Sequence, residues 1–240
     1  MRQSSAVRAV TRPMQVSTNH AIDGGRVFVV DDDASVRKSL ERLLTSVGYK
    51  VQTFDSARAF LARPQMPAEG PQCLILDIRM PGVSGLDLQT SLRSSGATIP
   101  IIFSTGFGDI ASSVRAMKIG AVDFLTKPID EEELLAAVER GLVLDEEMRR
   151  LGAVMGTLTT RQARLTPREN QVFALVVTGM LNKQIAGRLG TCERTIKVHR
   201  ARIMKKMEAG SVADLVRMAD RLGLSATPPS SSESRRMALT

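Results

Sequence analysis

The stretch "RVFVVDDDASVRKSL", Arg26 to Leu40, decides the fold. Its four apolar residues, Val27 to Val30, run straight into three acids, Asp31, Asp32 and Asp33. The apolar run has the length of a buried strand. After it, Val36, Leu40, Leu43, Leu44 and Val47 recur at helical spacing up to Gly48, a residue suited to a helix C-terminus. Like charges at the end of a buried strand repel one another, so these acids are either simply solvated or they hold a cation.

The same alternation continues downstream. Apolar runs at Val51 to Phe54, Cys73 to Leu76, Ile99 to Phe103 and Val122 to Leu125 read as further strands, with helices around Ala57 to Ala62, Leu86 to Leu92 and Ile110 to Met117. Five strands nearly continuous in apolar residues and alternating with helices predict a doubly wound α/β fold, a parallel sheet covered on both faces. Ligands bind such sheets outside the carboxyl ends of the strands. At those ends stand Asp31 and Asp32, Asp77 in "CLILDIRMPGVSG", Thr105 in "IIFSTG" and Lys127 in "FLTKP". Carboxylate oxygens at this density suit a hard divalent cation such as Mg²⁺. Asp77 is then placed to act as a nucleophile that forms an acyl phosphate, with Mg²⁺ and Lys127 neutralising the transferred oxygens. Taken singly, each acid reads as a helix cap or a solvated loop residue; taken together with Thr105 and Lys127 they read as a site. Asp33 is left as a helix-start or loop residue.

Composition limits the alternatives. Of 240 residues, 43% are hydrophobic and 24% charged, which excludes a disordered or fibrous protein. No apolar run approaches the ~18 residues of a membrane span, and residues 1–25, with Arg2, Arg8 and Arg12, lack the apolar stretch of a signal peptide. A cytoplasmic protein without membrane association is expected. Two cysteines far apart in sequence, Cys73 and Cys192, fit reduced thiols better than a disulfide or metal framework.

The net charge of +8 is concentrated at one end. Lys and Arg outnumber Asp and Glu 13 to 5 over residues 151–225, against 12 to 10 over 26–128 and 3 to 8 over 129–150. This asymmetry predicts a polyanion partner for the C-terminal third, with nucleic acid ahead of an anionic membrane surface. In "LTPREN", Thr166 is a helix N-cap, Pro167 the first helical residue and Glu169 the partner of a capping box, with Val172, Leu175 and Val176 facing inward until Gly179. A short helix from Lys183 to Leu189, with Ile185, Ala186 and Leu189 inward, stops at Gly190. A third runs from about Glu193 to Met207, and a fourth from Val212 to Leu222 starts at a capping box of Ser211 and Asp214. A helix, a tight turn and a basic helix make a helix-turn-helix. On the third helix Ile196, Ile203 and Met207 form an inward stripe that His199 joins, whereas Arg194, Lys197, Val198, Ala201 and Lys205 form a stripe able to enter a major groove. Cys192, near that helix start, is placed to have a lowered pKa.

Two families fit these motifs. "VVDDD", "LILDIRMPGVSG", "STG" and "FLTKP" resemble the receiver domain of bacterial two-component response regulators. "LTPRENQVFALVVTGMLNKQIAGRLGTCERTIKVHRARIMKKM" resembles the LuxR-type DNA-binding domain, and the pairing is that of the NarL/FixJ class. The resemblance implies a flavodoxin-like receiver over 26–130, a helical linker over 131–160 and an all-α four-helix DNA-binding domain over 161–224, between disordered tails at 1–25 and 225–240. It makes Asp77 the phosphoacceptor and Asp31, Asp32, Asp77 and the backbone carbonyl of Arg79 the Mg²⁺ ligands. Thr105 would bond the phosphoryl group, Lys127 would pair with it, Phe124 would turn inward on activation, and the Lys127–Pro128 bond would be cis. Lys197, Val198 and Ala201 would face bases, while Arg194, Thr195, Arg200 and Lys205 would contact phosphates. Ala201 departs from relatives that carry a long polar residue there, which weakens or alters readout at one base. The implied partners are a sensor histidine kinase, double-stranded DNA, a second copy joined through the helix over 110–117 and the fifth strand on phosphorylation, and RNA polymerase.

The linker "DEEELLAAVERGLVLDEEMRRLGAVMGTLTTRQARL" is acidic and helical in pattern. Leu134, Val138, Leu142, Met148, Leu151, Met155 and Leu158 approximate a heptad, so an extended helix pairing with its copy is one reading; Gly141, Gly152 and Gly156 weaken it, and a bent linker packed on its own chain is an equal alternative. Two other functions stay in view. A phosphatase or phosphotransferase using the acidic cluster on an external substrate lacks an insertion to enclose that substrate. An RNA-binding antiterminator is disfavoured by the helix-turn-helix.

Overall fold

The computed structural model describes residues 25–64, 70–106 and 120–224. Residues 1–24 and 225–240 of the expected tails, and the helix expected over Ile110 to Met117, lie outside them; Gly25, expected in the tail, is buried, and its carbonyl accepts from the Lys50 N–H at 3.0 Å. Contacts divide the chain into two units, Met1–Met148 and Arg149–Thr240.

The first unit is built on strands β1 (Arg26–Val30), β2 (Lys50–Phe54), β3 (Gln72–Asp77), β4 (Ile101–Thr105) and β5 (Asp123–Thr126). All pairings are parallel, and the spatial order is β2-β1-β3-β4-β5. Strand order therefore reverses between β1 and β3, which opens the crevice where doubly wound sheets bind ligands. The register sets Val30 beside Leu76, Asp77 beside Ser104 and Thr105 beside Thr126. Asp31 is thus level with Asp77, and Thr105 and Lys127 lie one and two residues further along their strands.

Side chains alternate across the sheet, and each face has its own core. One contains Phe28, Val30, Leu74, Leu76 and Phe103 packed with residues of α2 (Ala57–Leu61) and α3 (Gly85–Ser94). The other contains Val27, Val29, Cys73, Ile75 and Ile102 packed with α1 (Ala34–Ser46) and with Leu134, Val138 and Leu142 of α4 (Glu131–Ala163). Burial on both faces is why the strands carry unbroken apolar runs. Within α1, Leu40 and Leu44 are buried and Val36 and Leu43 half-buried, but Val47 is exposed because the helix ends at Ser46, before its last apolar residue. Asp33 caps α1 by accepting from the backbone N–H of Ser35 at 2.7 Å. Gly48 follows at φ +95°, the left-handed turn expected of it.

Helix α4 is continuous over 33 residues, and the division between the two units falls inside it. Its apolar pattern is split. Leu134, Val138 and Leu142 belong to the core of the first unit, Leu158 is buried, and Leu151 and Met155 are exposed. Gly141 is where α4 meets β3: a Cβ there would lie 3.1 Å from that of Cys73. One turn on, the buried carboxylate of Asp145 accepts from the Gln72 N–H at 2.8 Å, tying α4 to the first residue of β3. Burial, with Asp145 nearby, pushes the Cys73 thiol well up.

In the second unit, α5 (Pro167–Val176), α6 (Asn182–Arg188), α7 (Glu193–Met207) and α8 (Val212–Arg221) enclose a core of Val172, Phe173, Ile185, Ile196, Ile203 and Leu215. The capping box of Thr166 and Glu169 is formed in both directions. The inward face of α5 is Val172, Phe173 and Val176, with Leu175 only half-buried, because the stripe follows i, i+1 and i+4 about Phe173. Ser211 caps α8 through the Asp214 N–H. Leu181 caps α6 without any side-chain hydrogen bond and is 68% exposed.

Candidate functional site

Three strands deliver three acids and a lysine to the crevice. One carboxylate oxygen each from Asp31, Asp32 and Asp77 lies within 4.8 Å of the others. Asp31 and Asp77 are buried, and Asp32 is exposed at the mouth. Lys127 crosses from the end of β5, with Nζ 2.6 Å from Asp31 Oδ2 and 2.9 Å from Asp77 Oδ2. The Lys127–Pro128 bond that follows is cis.

The electrostatics follow from burial opposed by pairing. Burial raises the Asp31 carboxyl above the ordinary carboxylate range, against the lowering effect of Lys127 and of the Asp33 N–H that donates to it at 2.9 Å. Burial alone would lower Lys127, but its bonds to Asp31 and Asp77 prevail and its pKa is raised. The ammonium is therefore firmly charged, and it balances one of the three acids. What remains is a compact set of hard oxygen donors with excess negative charge, which fits Mg²⁺.

Thr105 is buried at the end of β4, and among the described residues its hydroxyl finds no hydrogen-bond partner. The hydroxyl of the neighbouring Ser104 is in the same condition. Buried hydroxyls are normally satisfied, so each of these is a donor without a partner, and because successive side chains of a strand point to opposite faces the two do not serve one acceptor. Phe124 is half-buried against the core that includes Phe103. Arg79 is exposed, and its backbone N–H donates to Asp77 Oδ1 at 3.2 Å.

The second face is that of α7. Ile196, Ile203 and Met207 are fully buried, and Arg194, Lys197, Val198, Ala201 and Lys205 are all exposed, Val198 by 45%. Arg200 is half-buried, with Nη1 donating to Asn182 Oδ1 at 2.9 Å, so it braces α7 against α6. Thr195 is half-buried, its hydroxyl 3.2 Å from Cys192 Sγ, and that bond holds the exposed Cys192 thiol below its ordinary pKa. His199 is half-buried on the inward stripe.

Residues 27–139 match the response regulator receiver domain family, and residues 163–219 match the LuxR family of bacterial regulatory proteins. The chain belongs to the NarL/FixJ class of response regulators. Nodulation protein W of Bradyrhizobium diazoefficiens is 50% identical over 200 residues, 83% of this chain and 87% of that one. Response regulator protein TodT of Pseudomonas putida is 46% identical over 88% of this chain and 92% of its own. Among solved structures, the response regulator StyR shares 48% identity with a TM-score of 0.73, covering 82% of this chain and 99% of that one. Full-length FixJ from B. japonicum shares 41% identity over 85% of this chain and all of its own, with a TM-score of 0.51. As a response regulator the protein is a phosphorylation-controlled transcription factor rather than a metabolic enzyme, and this domain pair implies a histidine kinase and DNA as partners. Among the described residues no helix is long and apolar enough to cross a membrane.

Three contributors to the response regulator's acidic crevice carried weak sequence signals. Arg37 Nη1 donates to the Asp31 carbonyl at 2.7 Å, anchoring the strand end from α1. Gly85 packs so closely on β3 that a Cβ would collide with the Asp77 carbonyl oxygen. Its place in "MPGVSG" was the only hint. Ser104 lies in register with Asp77, which only strand pairing reveals.

Proposed function

We propose that Asp77 is the phosphoacceptor, that Asp31, Asp32 and Asp77, with the Arg79 backbone carbonyl, hold Mg²⁺, and that α7 reads DNA. The observation that carries the first point is a buried carboxylate ending the central strand β3, bonded to Lys127 and clustered with two further acids. An Asp77 carboxylate oxygen attacks phosphorus in the kinase's phosphohistidine; the new P–O bond forms as the P–N bond breaks and the imidazole leaves. Lys127 Nζ already lies against the reacting carboxylate, so its charge meets the oxygens that the phosphoryl group brings. Bound Mg²⁺ would neutralise charge on those same oxygens. Thr105 then has an acceptor for its unsatisfied hydroxyl, and its shift lets Phe124 settle deeper, a two-state packing change driven by one new charge.

On the DNA side, Lys197, Val198 and Ala201 face bases, while Arg194, Thr195, Arg200 and Lys205 lie toward phosphates; exposure of the first group supports this, and Arg200, whose Nη1 is engaged by Asn182, keeps further N–H donors for a phosphate. Phosphorylation brings two copies together on paired half-sites, where the bound dimer acts on RNA polymerase. The working division is receiver over 26–130, linker over 131–160 and DNA-binding domain over 161–224.

The test is incubation with Mg²⁺ and acetyl phosphate, following intact mass and self-association with Asp77→Ala alongside. One phosphoryl group gained and a shift to dimer, both absent in the variant, are expected. A mass gain that survives the substitution would move the chemistry to another residue.

A further inference from the structure

An acid on a surface that meets DNA opposes binding, and α7 carries one at its first position. Glu193 is exposed, and its Oε1 lies 3.4 Å from Nζ of Lys197, one turn further on. Side-chain exposures of 48% and 66% show that neither group is committed to the protein core. Glu193 also favours the helix electrostatically, since a negative charge in the first turn complements the helix dipole. That role alone would be served anywhere in the turn, and it does not require the acid to lie against Lys197.

We propose that Glu193 is a specificity-determining residue that acts as a unit with Lys197 to read one G·C pair. The inference rests on the reading that α7 enters the major groove. A guanine presents two acceptors there, N7 and O6, and its cytosine partner presents one donor, the N4 amino group. The ion pair presents the complement, with ammonium donors on Lys197 and a carboxylate acceptor on Glu193. An ammonium has three N–H donors, so Lys197 can keep its bond to Glu193 while it donates to guanine. The N-terminal residues of a recognition helix are those that approach base edges, and both residues lie in the first two turns of α7.

The same pair works against binding at other sequences. A phosphate draws Lys197 as a point charge, whatever the base, but it offers no donor to Glu193, so the carboxylate faces the DNA backbone without a partner from the DNA. A complex made through phosphates alone therefore repels the carboxylate, and a complex at the matching base pair satisfies it through cytosine N4. The difference between those two outcomes is specificity, achieved by weakening the wrong complexes.

The test uses the full-length protein with Mg²⁺ and acetyl phosphate, a pool of randomised duplexes sequenced after selection, and direct titration of a random duplex over a range of salt. Variants are Glu193→Gln, Lys197→Gln and the two combined. Glu193→Gln should bind random duplex about threefold more tightly at low salt, and the slope of log affinity against log salt should steepen by about 0.9 as Lys197 becomes free for one more phosphate. The selected sequences should lose their preference at one G·C position and keep the rest. In the Lys197→Gln background, Glu193→Gln should change neither the base preference nor the salt slope, and any affinity gain there reflects only the removed repulsion. Unchanged base preference in Glu193→Gln, with or without a lowered melting temperature, would overturn the proposal and leave only a helix-stabilising acid. An equal steepening of the salt slope in both backgrounds would also overturn it, showing an effect that does not pass through Lys197. If Lys197→Gln by itself leaves DNA binding intact, the placement of α7 in the groove is what fails.

Discussion

Lys127 shows how much of the acidic crevice depends on a single side chain. Its raised pKa reflects stabilisation by Asp31 and Asp77 that is present below its ordinary pKa of 10.5 and is lost as pH rises through the folded value. The stability difference between the wild type and Lys127→Gln should accordingly be largest near neutrality and shrink under alkaline conditions, as read by denaturant titration at a series of pH values. Loss of the ammonium leaves the carboxylates repelling one another, so Mg²⁺ should raise the melting temperature of Lys127→Gln at least as much as that of the wild type, and a chelator should remove the rise. Asp31→Asn should blunt the response in both. Gly85 gives a steric counterpart. Because a Cβ would strike the Asp77 carbonyl, Gly85→Ala should cost about 2 kcal/mol or more and slow phosphorylation, since the strand end that carries Asp77 must shift.

Helix ends and helix pairs carry their own tests. Leu181 occupies an N-cap with no side-chain acceptor, so Leu181→Ser should stabilise the second unit by about 1 kcal/mol in thermal melts. Glu169 is buried, and Lys206 Nζ at 2.6 Å, aided by the Thr166 N–H, holds its carboxyl down to about 2. A depressed carboxyl contributes stability that is present above its ordinary value of 4.5 and disappears as pH falls through about 2. Glu169→Gln should be less stable than the wild type by about 2 kcal/mol at neutral pH, and the gap should close on acidification. On α4, a Cβ added at Gly152 or Gly156 would meet no other described atom within 4 Å, so neither glycine is required by close packing. Replacing either with Ala should stiffen the helix by up to about 1 kcal/mol. Gly141 is different, since it lies against Cys73.

The proposed self-association belongs to the scale of the whole chain. Exposed Leu151 and Met155 on a continuous helix suit pairing between copies through α4, whereas the receiver surface that includes β5 offers the other route. Pairing through α4 predicts that Leu151→Glu weakens phosphodonor-driven dimerisation in sedimentation or size-exclusion measurements; an unchanged dimer would assign contact to the receiver. The periodicity of the chain foretold these helices and strands well, because a strand buried on both faces and a helix buried on one must carry their patterns in the residues themselves. Strand ends in a parallel sheet share one edge, and Asp31, Asp32, Asp77 and Lys127 do lie together there. Local periodicity could not separate the linker heptad into Leu134, Val138 and Leu142, which pack on the sheet, and Leu151 and Met155, which do not. Nor could it find the Asp145 bond to Gln72, the Gly85 approach to Asp77 or the bracing of Arg200 by Asn182. The sequence by itself determined which residues form each element and which edge of the sheet holds the acids, for both follow from short-range patterning. Only the tertiary structure decided which side chains are paired, buried or left without partners, because those depend on contacts between segments far apart in the chain.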